Sequence, residues 1–161
     1  MSAFLNTIIL LGAIQGFIIS SLLFFSRKNK QANRLLSALI LLISLASFNL
    51  YASYANWFNS DILRFISNFI PLVIVMPFGP LLYFYIKASL EPDFKISKKK
   101  RRHFYSVIVD LVPQLTAFIF VTGVYAGLLK NHPESWGNFI DTYNVYADIP
   151  RWMSVTFYVF L

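Results

Sequence analysis

Seven carboxylates and two histidines make up most of the acid–base chemistry open to this 161-residue chain, and their spacing leaves little of it for catalysis. His103 closes a run of five cations, Lys98 to Arg102, while His132 lies beyond the apolar stretch 104–129. The two therefore fall at opposite ends of one long apolar segment and cannot share a site. His132 and Glu134 are two residues apart, with no further His or Cys to complete a metal centre. H-E-x-x-H, G-x-S-x-G, Walker A, G-x-G-x-x-G and E-x-x-H patterns are all missing. The chain has no cysteine, which removes disulfides, thiol chemistry and Cys-ligated zinc. No catalytic, metal or cofactor-binding residue is expected, and the chain is not expected to be an enzyme. One ionisable group stands apart. Asp110 sits inside an apolar segment, about two helical turns from Arg102 and His103. A carboxyl group at that depth marks ligand, proton or ion handling, unless it reaches interfacial water or a nearby cation as a structural partner. Both readings stay open.

The elements that must position these groups are set by composition. Hydrophobic residues make up 57% of the chain, aromatics 18% and charged residues 13%, against roughly a quarter charged in soluble domains. The expected fold is all-α: a polytopic transmembrane helical bundle forming a single domain over 1–161. Apolar spans are expected at about 4–25, 35–54, 64–86 and 104–129. A fifth apolar segment, 152–161, would give only about 15 Å of helix against a hydrocarbon core near 30 Å. Four complete spans plus a truncated fifth are therefore expected, with the natural chain continuing past Leu161. The first span lacks the cationic flank of a cleaved signal peptide and is expected to be retained.

Charge asymmetry orients the spans. Lys87, Lys95 and Lys98 to Arg102 supply seven of the fourteen lysines and arginines, and cations in short loops stay on the cytoplasmic side. Arg27, Lys28, Lys30 and Arg34 mark the same side at the end of the first span, so the N-terminus is expected outside. Lys98, Lys99, Lys100, Arg101 and Arg102 then serve as topology anchors against an anionic cytoplasmic leaflet. The stretch 130–151 reads as an outer loop. Its Glu134, Asp141 and Asp148 mix with Trp136, Phe139, Tyr143 and Tyr146, either to hold a ligand or cation or to anchor the interface.

Small residues and prolines suggest how the spans meet. Gly12 and Gly16, with Gln15 between them, form a G-x-x-x-G where another helix can approach, within the bundle or in a homodimer. Gly123 and Gly127 form a second. Pro77, Gly79 and Pro80 should bend or break the third span, because proline removes a donor and clashes with the preceding turn. That bend is either a fixed kink or a hinge that moves during signalling.

Two stretches carry a family resemblance. Residues 12–45, with the linker Lys28-Asn29-Lys30-Gln31-Ala32-Asn33-Arg34, and residues 78–104, with Gly79-Pro80-Leu81-Leu82-Tyr83-Phe84-Tyr85-Ile86-Lys87, are together similar to the membrane half of membrane-bound AraC-type helix-turn-helix transcriptional regulators of Bacteroidetes-like bacteria. The resemblance implies a multi-pass protein of the bacterial inner membrane that senses an external or membrane signal. It also implies a cytoplasmic DNA-binding domain beyond Leu161, so that DNA is a partner only through that domain. The alternative is a fragment of a polytopic transporter or channel-like protein, for which the broken third span and Asp110 are the hints.

Overall fold

The computed structural model describes residues 3–60, 63, 66–91, 93–130 and 132–161. Five helices carry the described fold: α1 (Ala3–Phe25), α2 (Lys30–Tyr54), α3 (Phe78–Leu90), α4 (Ile108–Tyr125) and α5 (Pro133–Val159). A single turn, Lys98–Arg101, and a 3₁₀ segment, Arg102–Val107, lead into α4. In space α1 packs on α2, α2 on α3, α3 on α5 and α5 on α4.

The expectation of four complete spans and a truncated fifth does not hold. Among the described residues three helical stretches are long and apolar enough to cross a membrane by length and composition: Phe4–Phe25, Lys30–Tyr54 and Lys98–Tyr125. Of the stretch expected to span at 64–86, residues 66–67 are helical, residues 71–75 have no regular structure, and α3 begins at Phe78. Asp61, Ile62, Arg64 and Phe65 lie outside the described residues. The expected stub at 152–161 is the last third of α5, which runs for 27 residues, or about 40 Å. The presumed outer loop is thus helix. Its carboxylates keep α5 from the apolarity of a lone span, but they recur at helical spacing: Asp141, Asn144, Asp148, Arg151, Ser154 and Tyr158 follow one another every three or four residues.

The α1–α2 hairpin closes on a tight turn in which Asn29 adopts a left-handed backbone, φ 43°, a conformation asparagine tolerates better than most residues. Asn33 Nδ2 donates to Lys28 O (2.7 Å) and Ser26 Oγ (3.0 Å), fixing that turn. The two helices meet along small residues. Ala13 and Ser20 are buried on α1, Ser37 and Ser44 on α2. Ser20 Oγ donates to Ser37 O (2.9 Å) and Ser37 Oγ donates to Ser20 O (2.8 Å). Gly16 belongs to this seam, since a Cβ there would lie 1.9 Å from Ser44 Oγ. Gly12 and Gln15 do not: both are exposed, and a Cβ on Gly12 would meet nothing within 4 Å. The rest of α1, including Leu5, Ile8, Leu11, Ile18 and Leu22, is exposed apolar surface.

The second glycine pair has a different use. Gly127 takes φ 69° just past α4, and Leu128 and Leu129 both donate to Gly123 O. This is a left-handed helix termination in which glycine avoids a Cβ clash, and the nearest contact of a Cβ on Gly123 would be the following Leu129.

The best-buried apolar cluster lies at the cation-rich end. Ala32 and Leu35 of α2 pack against Leu81, Phe84 and Ala88 of α3 and against Phe94. Gln31, with its amide oriented to suit its neighbours, donates to Phe94 O and accepts from Ile96 N, both at 2.9 Å. The first turn of α2 thereby holds the loop that leads to the cationic run. Lys100 covers Phe94, with Nζ 4.0 Å from the ring centroid.

Candidate functional site

The break between residues 71 and 77 frees backbone groups, and a side chain from another helix takes them up. Asp110, 1% exposed in the first turn of α4, accepts from Val75 N (2.8 Å) and Met76 N (2.7 Å) through Oδ2. These donors stand just ahead of α3, where the helix dipole also favours negative charge. The other oxygen, Oδ1, accepts from Arg151 Nε of α5 at 2.7 Å. Arg151 in turn reaches the mostly exposed Asp148 with Nη1 (3.0 Å), and Ser154 Oγ, one turn further along α5, donates to Met76 O (3.3 Å). One carboxylate therefore ties α4, α5 and the entry to α3 together. A buried charge without such partners would cost several kcal/mol.

Of the two sequence readings of Asp110, the geometry favours the structural one. Its cationic partner is Arg151, a residue expected in an outer loop. Pro77 and Pro80 also act differently from a kink inside a continuous helix. Pro77 is the residue that opens α3 and Pro80 lies in its first turn, where proline fits without loss of an intrahelical bond. The break itself lies earlier, at 71–75. Gly79 marks close helix approach, because a Cβ there would come within 2.8 Å of the Tyr158 ring and 3.0 Å of Ser154 O on α5.

Pro113 inside α4 has its own compensation. It deprives the carbonyl four residues earlier, Val109 O, of a donor, and Tyr143 Oη of α5 donates to that oxygen at 2.8 Å. Tyr143→Phe should therefore destabilise the fold by about 1 kcal/mol, the usual worth of a hydrogen bond to a half-buried carbonyl. Denaturation in detergent measures it, and a Tyr143→Phe chain as stable as the parent would refute the compensation.

Beside this knot lies a small cavity of about 170 Å³, lined by Asn49, Ser67, Asp110, Pro113, Gln114 and Asn144 among others. Gln114 Oε1 is buried there without a hydrogen-bond partner among the described residues. A polar recess that opens beside the buried Gln114 acceptor suits water or a small polar ligand, since buried acceptors want donors.

At the cation-rich end His103 Nδ1 pairs with Tyr158 Oη, and both rings stand close to others: His103 to Phe84 and Tyr158 to Tyr83. Lys98, Lys99, Arg101 and Arg102 are exposed there. At the opposite end Trp136 packs on Phe120, with centroids 5.2 Å apart; the aromatics expected on a loop sit on α5, where Trp136 and Tyr143 meet α4 while Phe139 and Tyr146 are exposed. Glu134 lies in the first turn of α5, next to His132. Among the described residues no three His, Cys, Asp or Glu side chains come together as metal ligands.

No protein-family model, curated protein or solved structure matches the chain. Sequence reasoning found Asp110, placed Asp148 and Tyr143 in an outer loop rather than beside it, and missed Arg151 and Ser154. The three-residue spacing of Asp148, Arg151 and Ser154 was the available signal.

Proposed function

We propose that this chain is the membrane-embedded sensory half of a one-component transcriptional regulator, lying in the bacterial inner membrane with its N-terminus outside and its cation-rich end in the cytoplasm. A helix-turn-helix domain following α5 would bind DNA, with phosphate contacts supplying much of the affinity. The observation that carries the reading is the placement of the end of α5. Tyr158 lies against His103, beside the five cations, so a domain attached beyond α5 would be delivered to the side that the cations mark as cytoplasmic.

Further support comes from the two stretches that resemble the regulators. Gly79 to Lys87 lie within α3, and Gly79 of that stretch touches α5 at Ser154 and Tyr158. Lys28 to Arg34 form the α1–α2 turn and, through Gln31, hold the 94–96 loop. A signal that binds two packings of the knot around Asp110 with different affinity would shift α3 against α5 and so reorient the attached domain. The polar cavity beside Gln114 is the natural seat for such a change.

Fusing reporters after Leu161 tests the orientation. A green fluorescent protein fusion should fluoresce and an alkaline phosphatase fusion should be inactive; the opposite pair of results would place the end of α5 outside and end the proposal. Reading the natural frame past the Leu161 codon tests the regulator itself, with a basic helix-turn-helix domain expected. Further apolar spans alone would favour the transporter-like alternative, which the broken segment and polar cavity also suit.

A further inference from the structure

The sequence treats the five consecutive cations as one anchor, but the fold divides them and recruits others. A cleft of about 770 Å³ opens at the cation-rich end, lined by Lys30, Gln31, Arg34 and Leu35 of α2 and by Lys95, Ile96, Arg101 and Phe104. Four of these residues are cations, drawn from segments some sixty residues apart in the chain. Only Arg101 belongs to the run 98–102. Lys98, Lys99, Lys100 and Arg102 do not line the cleft, and Lys100 is turned onto Phe94.

Among the described residues none of the four lining cations is ion-paired, and the neighbouring carboxylates Glu91 and Asp93 are exposed and do not line the cleft. Arg34 lies over the Phe24 ring, with Cζ 5.4 Å from its centroid, an interaction that leaves its N–H groups available. The four cations are exposed, and like charges gathered in one concavity without counter-charge raise the local potential that attracts an anion. The cleft also has apolar surface in Leu35, Ile96 and Phe104, and it is held in shape by the two hydrogen bonds of Gln31 to the 94–96 backbone. Cations that donate several N–H groups beside apolar surface suit a phosphate carried on a greasy molecule better than a carboxylate or a free ion.

We propose that this cleft binds the phosphate of an anionic phospholipid headgroup, with Lys30, Arg34, Lys95 and Arg101 around the phosphate and Leu35, Ile96 and Phe104 against the start of the acyl chains. The proposal uses the membrane placement given above and is independent of the regulator reading.

The test is native mass spectrometry of the detergent-purified chain titrated with short-chain phosphatidic acid, phosphatidylcholine and inorganic phosphate. Arg34→Gln with Lys95→Gln should weaken phosphatidic acid binding about thirtyfold, given the usual gain per cation near an anionic lipid surface. Lys98→Gln with Lys99→Gln removes the same charge from exposed positions that do not line the cleft, where solvent and salt screen it, and should change binding less than about twofold. Arg34→Lys with Lys95→Arg should retain binding and shows that the fold tolerates change at both positions. Equal losses from the two charge-removing pairs would overturn the site in favour of diffuse attraction. Inorganic phosphate competing at the lipid's own concentration would overturn the lipid as the source, and phosphatidylcholine binding as tightly as phosphatidic acid would overturn the role of charge.

Discussion

Asp110→Ala is expected to be the most damaging single substitution in this chain, costing about 3–5 kcal/mol of stability, the range seen when one partner of a buried ion pair is removed. The loss has two parts. Val75 N and Met76 N each lose their only side-chain acceptor, and Arg151 Nε is left facing a void. Arg151→Met should cost less, because Asp110 keeps two backbone donors. The double variant Asp110→Leu with Arg151→Met should cost clearly less than the sum of its single changes, since no lone charge then remains inside the bundle. Unfolding in mixed detergent micelles, followed by circular dichroism, gives all the values of the cycle. Strict additivity would mean that the two side chains do not act as a pair.

The second large effect is expected at Gly16. Isoleucine there must displace Ser44, because even a Cβ would lie 1.9 Å from its Oγ and 3.1 Å from its Cβ. Gly16→Ile should destabilise the fold by about 1–3 kcal/mol, the range for overpacking a tight contact, and should loosen the paired bonds between Ser20 and Ser37. Gly12→Ile, on the same helix and the same motif, should be close to neutral, since nothing lies within 4 Å of its Cβ position. Hydrogen exchange at the α2 amides distinguishes the two variants. Comparable damage from both would mean that α1 presents a different face to α2.

Why the sequence reveals some of this fold and hides the rest follows from what each residue needs. α1, α2 and most of α4 are long apolar runs whose only requirement is to satisfy their own backbone, and that requirement is local. α5 is different. Its acids, arginine and tryptophan resemble a wet loop when counted, and they resemble a helix only when their spacing is followed from Asp141 to Tyr158. The break in the third apolar stretch was legible from its prolines, but its extent was not: Pro77 and Pro80 ended up in harmless helix-opening positions, and the irregular residues lie before them. Asp110 announced itself by being ionisable in apolar surroundings. Its partner, 41 residues downstream, could be found only once α4 and α5 were known to be antiparallel neighbours. The basic cleft was hidden for the same reason, since Arg34 and Lys95 meet only through tertiary packing.

The tie between Asp110, the 75–76 amides and Arg151 also dictates an order of events during synthesis. The two amide groups leave the ribosome about 35 residues ahead of the carboxylate that will hold them, and that carboxylate waits about 41 more for its arginine. Until Asp110 is made, the amides of Val75 and Met76 lack the acceptor that later holds them. The α1–α2 hairpin, joined by local serine bonds, can mature as soon as it is made. The tie around Asp110 is complete only when Arg151 of α5 has been made, so the middle of the chain is the last part to be closed.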